Sequence, residues 1–170
     1  MINTVWGSTD KPVSSKQLAK LLVSDESAEG TLYIGYPIIG TPEGSFPIDA
    51  LLVSPTKGLV LFNLIEGRTL DDYGAAQDEA FNKVQAKLLQ HQSLIRKRKL
   101  LVEIHTVTFA PAVPQLDTHV DEGHPLCSID SLQDVLSTLE AGDENVFFSS
   151  RLRNSIDFNV AAWQEKEGTA

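Results

Sequence analysis

The sequence predicts a single α/β domain in which a mixed central sheet is flanked by helices. Two β-rich apolar runs, 46–53 and 59–65, flank the turn 54–58, Ser-Pro-Thr-Lys-Gly. Proline presets φ at the second turn position and glycine accepts a positive φ, so the segment predicts a β-hairpin. Both runs are almost continuously apolar, which is typical of strands covered on both faces. The hairpin is therefore expected in the middle of the sheet.

Composition fits one folded domain, predicted at 1–163 with a polar tail at 164–170. Of the 170 residues 42% are hydrophobic and 22% charged, as in ordinary globular proteins. The single cysteine, Cys127, excludes an intrachain disulfide and favours a reducing, cytoplasmic location. No apolar run approaches the ~20 residues of a membrane span, and the N-terminus has no signal-peptide pattern. The net charge of -9 predicts weak, salt-sensitive binding to duplex DNA.

Before the hairpin, leucines at helical spacing follow two serines that can cap a helix. A β-rich stretch then runs into Pro37, which favours an edge strand or a strand end. The predicted elements are an irregular lead-in (1–13), a helix capped by Ser14 or Ser15 and ending near Ser24, a strand (31–39) and a turn (40–45).

After the hairpin, small and apolar residues recur every three or four positions and predict a long helix over about 71–98. Two aspartates favour its start and the basic run 96–99 favours its end, through the helix dipole. That run has a second interpretation, contact with nucleic acid. The predicted elements that follow are a strand (100–109), a loop (110–123), a short strand near 126–128, a helix capped by Asp130 or Ser131 that ends at Ala141-Gly142, and an amphipathic helix within 145–159.

The order α-β-β-β-α-β and a set of short phrases carry a resemblance to a known family. The phrases are Gly35-Tyr36-Pro37, Gly44-Ser45-Phe46, 48–54, 58–62, 82–88 and 104–110. Over residues 5–150 they resemble the nuclease-related domain of the PD-(D/E)xK nucleases, as found at the N-terminus of certain bacterial superfamily I DNA helicases. The resemblance implies a restriction-endonuclease-like core of three layers.

The resemblance also implies where a catalytic site would lie. In such nucleases an acid on each of two neighbouring strands holds Mg²⁺, and a lysine two residues beyond the second acid orients the attacking water. Asp49 matches the first acid, whereas Asn63 falls at the second and Ile65 at the lysine. An amide is a weaker Mg²⁺ ligand, and isoleucine cannot move a proton. The Asn63 amide is instead expected to donate a hydrogen bond to Asp49.

Two further residues complete the set of vestigial catalytic candidates, which is Asp49, Asn63, Glu66 and Gln85. Glu66 is the nearest other carboxylate, on the opposite strand face from Asn63. Gln85 falls where related nucleases carry a helical glutamine, and it is equally explained as an exposed polar residue. For Asp49 two interpretations are open: a Mg²⁺ ligand, or a residual acid held by a backbone turn or a helix-end amide.

A second group of candidate ligands lies in the predicted loop before the last short strand. His119 and His124 occur there with Asp117, Asp121 and Glu122. Such a group can bind a metal, and it is also ordinary surface chemistry for an acidic loop. Cys127 has no CxxC partner and is expected to be a buried, inert thiol.

Three functions are consistent with these residues. The first is a non-catalytic accessory domain of a DNA helicase or related DNA-processing protein, with helicase motor domains as partners in cis or in trans. The second is a weak Mg²⁺-dependent nuclease whose second acid has moved to Glu66 or Glu79. The third is an acidic domain that docks a basic protein. The chain carries no Walker-type phosphate loop, so this sequence holds none of the ATPase.

Overall fold

The computed structural model describes the chain over ten ranges. These are 2–25, 29–36, 38–41, 44–46, 48–54, 57–89, 95–96, 99–100, 103–114 and 123–139, with backbone alone at 38–41, 44–46, 95–96 and 99–100. The predicted helix within 145–159, the polar tail 164–170, the Ala141-Gly142 helix end and most of the predicted acidic loop lie outside these residues.

Ten strands and three helices occur in the described ranges. In chain order they are β1 (Ile2–Trp6), α1 (Pro12–Val23), β2 (Gly30–Ile34), β3 (Ile38–Thr41), β4 (Gly44–Phe46), β5 (Ala50–Ser54), β6 (Gly58–Leu64), α2 (Tyr73–Leu88), β7 (Ile95–Arg96), β8 (Lys99–Leu100), β9 (Ile104–Phe109), β10 (Leu126–Cys127) and α3 (Leu132–Ser137). No helix in these ranges is long and apolar enough to cross a membrane.

Six strands form one mixed sheet in the order β1-β2-β5-β6-β9-β10. The predicted hairpin is confirmed as β5 and β6, which pair antiparallel from Ala50↔Phe62 to Ser54↔Gly58. Its first strand begins at Ala50 and not at Phe46, which belongs to β4. Gly58 has φ +82°, as the turn requires. β2 pairs antiparallel with β5, and β9 pairs parallel with β6. The mixed α/β sheet with the hairpin at its centre is therefore confirmed.

Helices cover both faces of this sheet. Alternate residues of the central strands, among them Val60, Phe62 and Val107, pack with α1 and α3 in one hydrophobic core. Strand residues point to alternate faces, so the residues between them meet the other side. There α2 contacts β6 and β9 and buries Val84 and Leu88. The result is three layers, helix, sheet and helix.

The N-terminal predictions were wrong in two respects. Residues 2–6 are a strand, β1, paired parallel with β2 from Ile2↔Gly30 to Trp6↔Ile34. α1 begins at Pro12, which favours the first helical position because its missing N–H is not needed there. Ser14 and Ser15 are consequently buried within the first turn and are not the cap. Lys11 stands at the N-cap and makes no side-chain cap bond to the helix.

The bounds of four other predicted elements differ from those in the structure. α2 follows the Asp72 cap but ends at Leu88, and the basic run is not its end. β7 and β8 instead form a two-residue antiparallel ladder there, and β9 begins only at Ile104. The predicted strand 31–39 divides into β2 and β3, and β3 pairs with β4. α3 follows Ser131 as predicted but ends at Ser137.

Candidate functional site

A cleft of about 200 Å³ lies between the central strands and α2, beside the start of α1. Its apolar surface includes Leu61 of β6 and Ala80 of α2. Its polar lining is Lys11, Asp49, Asn63, Gln77, Glu79 and Thr106. The structure therefore brings two of the predicted site residues, Asp49 and Asn63, together with the N-cap residue of α1 and with residues of α2 and β9. It also places Glu79 there, one of the two proposed positions for a relocated acid.

Asp49 stands directly before β5 and is held through both its backbone and its side chain. Its carbonyl accepts a hydrogen bond from the Gly35 N–H at 3.1 Å. Its Oδ2 accepts from the Leu64 N–H at 2.9 Å and from Lys11 Nζ at 2.7 Å. Both charged side chains are 25% exposed, so the ion pair is only partly solvated. The carboxylate is thus bound to the end of β6 and to the start of α1.

Gly35 makes this arrangement possible at the end of β2. It has φ +78°, in the left-handed region that L-residues with a Cβ rarely adopt. A Cβ on Gly35 would also lie 2.2 Å from the Ser8 carbonyl oxygen. Any larger residue would therefore clash with the backbone of Ser8 and displace Gly35, whose N–H holds the backbone of Asp49.

Asn63 is half-buried on β6, and its amide does not pair with Asp49. Continuing the β5–β6 register by one residue places position 49 opposite position 63. The Asn63 Nδ2 nevertheless donates to Thr108 Oγ1, at 3.3 Å, across the parallel β6–β9 pair. The expected Asp49–Asn63 hydrogen bond was wrong: the Asn63 amide donates to Thr108 of β9, and the Asp49 carboxylate accepts from Lys11 and the Leu64 N–H instead.

Gln77, which the sequence did not single out, is the glutamine of α2 that lines the cleft. It is 1% exposed. Its Nε2 donates to Thr108 Oγ1 at 2.7 Å and to the Pro125 carbonyl at 2.9 Å. Its Oε1 accepts from Thr106 Oγ1 at 2.9 Å. The hydrogen bonds to neighbouring strand and loop residues make Gln77 a bridge from α2 to β9.

Gln85, the predicted helical glutamine, lies eight residues further along α2. At 1.5 Å of rise per residue that is about 12 Å along the helix axis from Gln77. It is half-buried and does not line the cleft. The structure therefore does not bring Gln85 together with Asp49.

Glu66 lies just beyond β6 and caps the N-terminus of α1. Its carboxylate accepts from the Val13 N–H at 3.0 Å, from the Ser14 N–H at 2.8 Å and from Ser14 Oγ at 2.8 Å. Burial raises the pKa of Glu66, but the hydrogen bonds from Ser14 and Val13 and the charge of Lys11 outweigh that effect. The pKa therefore lies below its ordinary value. The Glu66 carboxylate thus supplies the cap that α1 does not obtain from Lys11.

Ile65, at the position where the resemblance places a lysine, is part of the protein interior. Its side chain is 4% exposed, and its N–H donates to the Phe109 carbonyl at 3.0 Å. A lysine there would have to bury its charge. The ammonium group of the cleft comes instead from Lys11, which lies 38 residues before Asp49 in the sequence.

The second group of candidate ligands is described only at His124. Its Nε2 lies 2.9 Å from Asp78 Oδ1 of α2. His119, Asp117, Asp121 and Glu122 lie outside the described residues. Within the described part of the chain, no group of three or more His, Cys, Asp or Glu side chains could hold a metal ion.

Cys127 is fully buried on β10, as expected. Its Sγ lies 3.5 Å from the Thr108 carbonyl oxygen. Burial raises the pKa of the thiol to about 12. The thiol therefore stays protonated at neutral pH and is a poor nucleophile.

Comparisons of the chain with family models, curated proteins and solved structures found no match. The chemistry of the cleft is set by its own residues. They provide one fixed carboxylate paired with an ammonium, one exposed carboxylate, and amide and hydroxyl groups engaged with each other.

Proposed function

We propose that this chain is a nuclease-like, non-catalytic accessory domain of a DNA helicase or a related DNA-processing protein. The resemblance noted in the sequence supports this, and so does the run α1, β2, β5, β6, α2, β9, which remains when the edge strand β1 and the two small sheets β3–β4 and β7–β8 are left out. The central sheet lies between two helical layers, as a restriction-endonuclease-like core requires. Asp49 stands at the edge of a cleft, where an acid of such a fold would act.

The observation that carries the proposal is the state of the Asp49 carboxylate. Mg²⁺ needs several oxygen ligands in near-octahedral geometry, usually including one or two carboxylates. Here Oδ2 of Asp49 already accepts from the Lys11 ammonium and the Leu64 N–H. The neighbouring amide of Asn63 is neutral and bonded to Thr108. Asp49 therefore offers a divalent cation one negative charge, which the Lys11 ammonium already neutralises.

One observation favours a second candidate function, a weak Mg²⁺-dependent nuclease. Glu79 of α2 is exposed and lines the same cleft as Asp49 and Lys11, so it is a possible relocated acid. The same role for Glu66 is not supported, because its carboxylate is engaged by three donors at the start of α1.

A cleavage assay separates the two candidates. Purified protein is incubated with labelled single-stranded and duplex DNA in millimolar Mg²⁺ or Mn²⁺, with EDTA as the control. We expect no cleavage. The variants Asp49→Ala and Glu79→Ala identify the source of any activity that does occur. Metal-dependent cleavage abolished by both substitutions would overturn the proposal and favour the relocated-acid nuclease.

The accessory role is tested by co-purification with superfamily I helicase motor domains. Retention of the domain by the motor at physiological salt supports the proposal. Retention by unrelated basic proteins to the same extent would instead favour the third function, an acidic domain that docks basic partners, since the chain carries a net charge of -9.

A further inference from the structure

The basic residues of this acidic chain are concentrated in one stretch of sequence. Residues 80–102 hold six of the 14 Lys and Arg residues and none of the 23 Asp and Glu residues. Two of the six, Lys83 and Lys87, lie one helical turn apart on α2. The other four are the run 96–99.

The basic run 96–99 lies beyond the end of α2, whereas the sequence predicts it at that end. A cation stabilises a helix C-terminus only within its last turn. α2 ends at Leu88, and Arg96 comes eight residues later in the sequence. Lys87 is the basic residue of the last turn. Arg96 and the residues after it are therefore not part of the last turn of α2.

Arg96 and Lys99 instead occupy directly opposed positions of the β7–β8 ladder. Like charges at opposed positions of an antiparallel pair destabilise it. Phosphate groups bound by the two residues would turn this repulsion into attraction, because each phosphate accepts charge-assisted hydrogen bonds from an arginine or a lysine. We name this pair of positions the basic ladder.

We propose that the basic ladder, Arg96 and Lys99, binds the phosphodiester backbone of a nucleic acid. The choice of nucleic acid as the anion rests on the proposed function, whereas the charge arrangement does not. Because the chain as a whole is acidic, with a net charge of -9, this binding is weak and depends on salt. Nothing in this contact requires cleavage.

The test measures the salt dependence of DNA binding by fluorescence anisotropy, with labelled single-stranded and duplex oligonucleotides. The double variant Arg96→Gln/Lys99→Gln is compared with Lys16→Gln/Lys20→Gln, which removes the same charge from two exposed positions of α1. Each phosphate contact contributes about 0.9 to the slope of log K against log salt on duplex DNA. The ladder variant should therefore lose about 1.8 of slope, and the α1 control none.

Equal losses in the ladder variant and the α1 control would overturn the proposal, because net charge alone would then govern binding. An unchanged slope in the ladder variant would overturn it as well. So would tighter binding to vesicles of anionic lipid than to DNA at equal salt. If the double variant does not fold, as judged by circular dichroism, the two single substitutions replace it, and each should lose about half as much slope.

A charge-conserving variant, Arg96→Lys/Lys99→Arg, should keep the slope of the wild type. The outcome is also independent of the cleavage assay. DNA cleavage with an intact ladder effect would refute the non-catalytic function and leave this inference standing. A domain that does not cleave DNA and whose ladder variant binds DNA like the wild type would refute this inference and leave the non-catalytic function standing.

Discussion

Glu66 distinguishes two interpretations of the candidate site, because they give opposite signs for the removal of its carboxylate. If Glu66 were an acid kept for metal binding, its loss would relieve repulsion between carboxylates and stabilise the metal-free protein. If it is the cap of α1, its loss leaves the N–H groups of Val13 and Ser14 without their acceptor. Lys11 offers no replacement, because it makes no side-chain cap bond.

The magnitude follows from the three hydrogen bonds that the Glu66 carboxylate accepts. Loss of an N-terminal cap costs about 0.5–2 kcal/mol, and a negative charge at a helix N-terminus contributes about 0.3–1 kcal/mol more. We therefore expect Glu66→Ala to lower the free energy of unfolding by about 1–3 kcal/mol at pH 7. Glu66→Gln keeps an acceptor and loses the charge, so it should cost about 1 kcal/mol or less.

The pH dependence of the Glu66→Gln effect has a definite sign. The pKa of Glu66 is lowered in the folded protein, so the ionised carboxylate stabilises the fold. This contribution is fully present above the unfolded-state pKa, near the ordinary value of 4.5, and is lost as pH falls through the folded-state pKa. The difference between wild type and Glu66→Gln should therefore be constant near neutrality and shrink in acid.

Urea unfolding curves recorded between neutral and acidic pH measure both effects. Glu79→Ala and Glu79→Gln are the matched controls, since Glu79 is exposed and does not cap a helix. Their free energies of unfolding should stay within about 0.5 kcal/mol of wild type. A Glu66→Ala variant more stable than wild type would refute the capping role. A Glu66→Gln difference that persists unchanged in acid would refute the electrostatic part.

Two further predictions concern the central sheet and its edge. Asp49→Ala should lower the free energy of unfolding by about 1.5–3 kcal/mol, since it leaves the Leu64 N–H and the Lys11 ammonium without their acceptor; a raised melting temperature would contradict this. Cys127, fully buried with its pKa raised to about 12, should react with a disulfide reagent in the native protein only as fast as the chain opens. Labelling of the native thiol as fast as in urea would show that it is accessible.

The centre of the fold could be predicted from sequence because its signals are local. The β5–β6 hairpin is formed by two apolar runs separated by a turn with Gly58, and neither depends on distant residues. β1 could not be found in this way. Only Ile2 of its five residues is buried, and Ile2 to Trp6 become a strand by pairing with β2, which follows the intervening helix. The C-terminal limit of α2 was missed because residues beyond Leu88 carry no proline or glycine to end the helix.

The candidate site was only half predictable, for a related reason. Asp49 was conspicuous as an acid beside an apolar strand, and Asn63 followed from the hairpin register. The partner that neutralises Asp49, Lys11, is an ordinary lysine 38 residues away, and no pattern in the sequence marks it. Gln77 and Gln85 are likewise both glutamines of α2, and only the packing of α2 on β9 decides that Gln77 is the one bonded to the strand. Side-chain pairs made by tertiary packing leave no periodic signal.

The place of β6 inside the sheet has a consequence for aggregation. Its sequence, Gly58–Leu64, is an uncharged, strongly apolar stretch of seven residues, the kind of segment that stacks with copies of itself when its edges are open. In the folded chain β5 protects one edge, and it is joined to β6 directly by the hairpin turn. The other edge is protected only by β9, which arrives after α2. β9, which helps to line the cleft, is therefore also the strand that keeps β6 from pairing with another molecule.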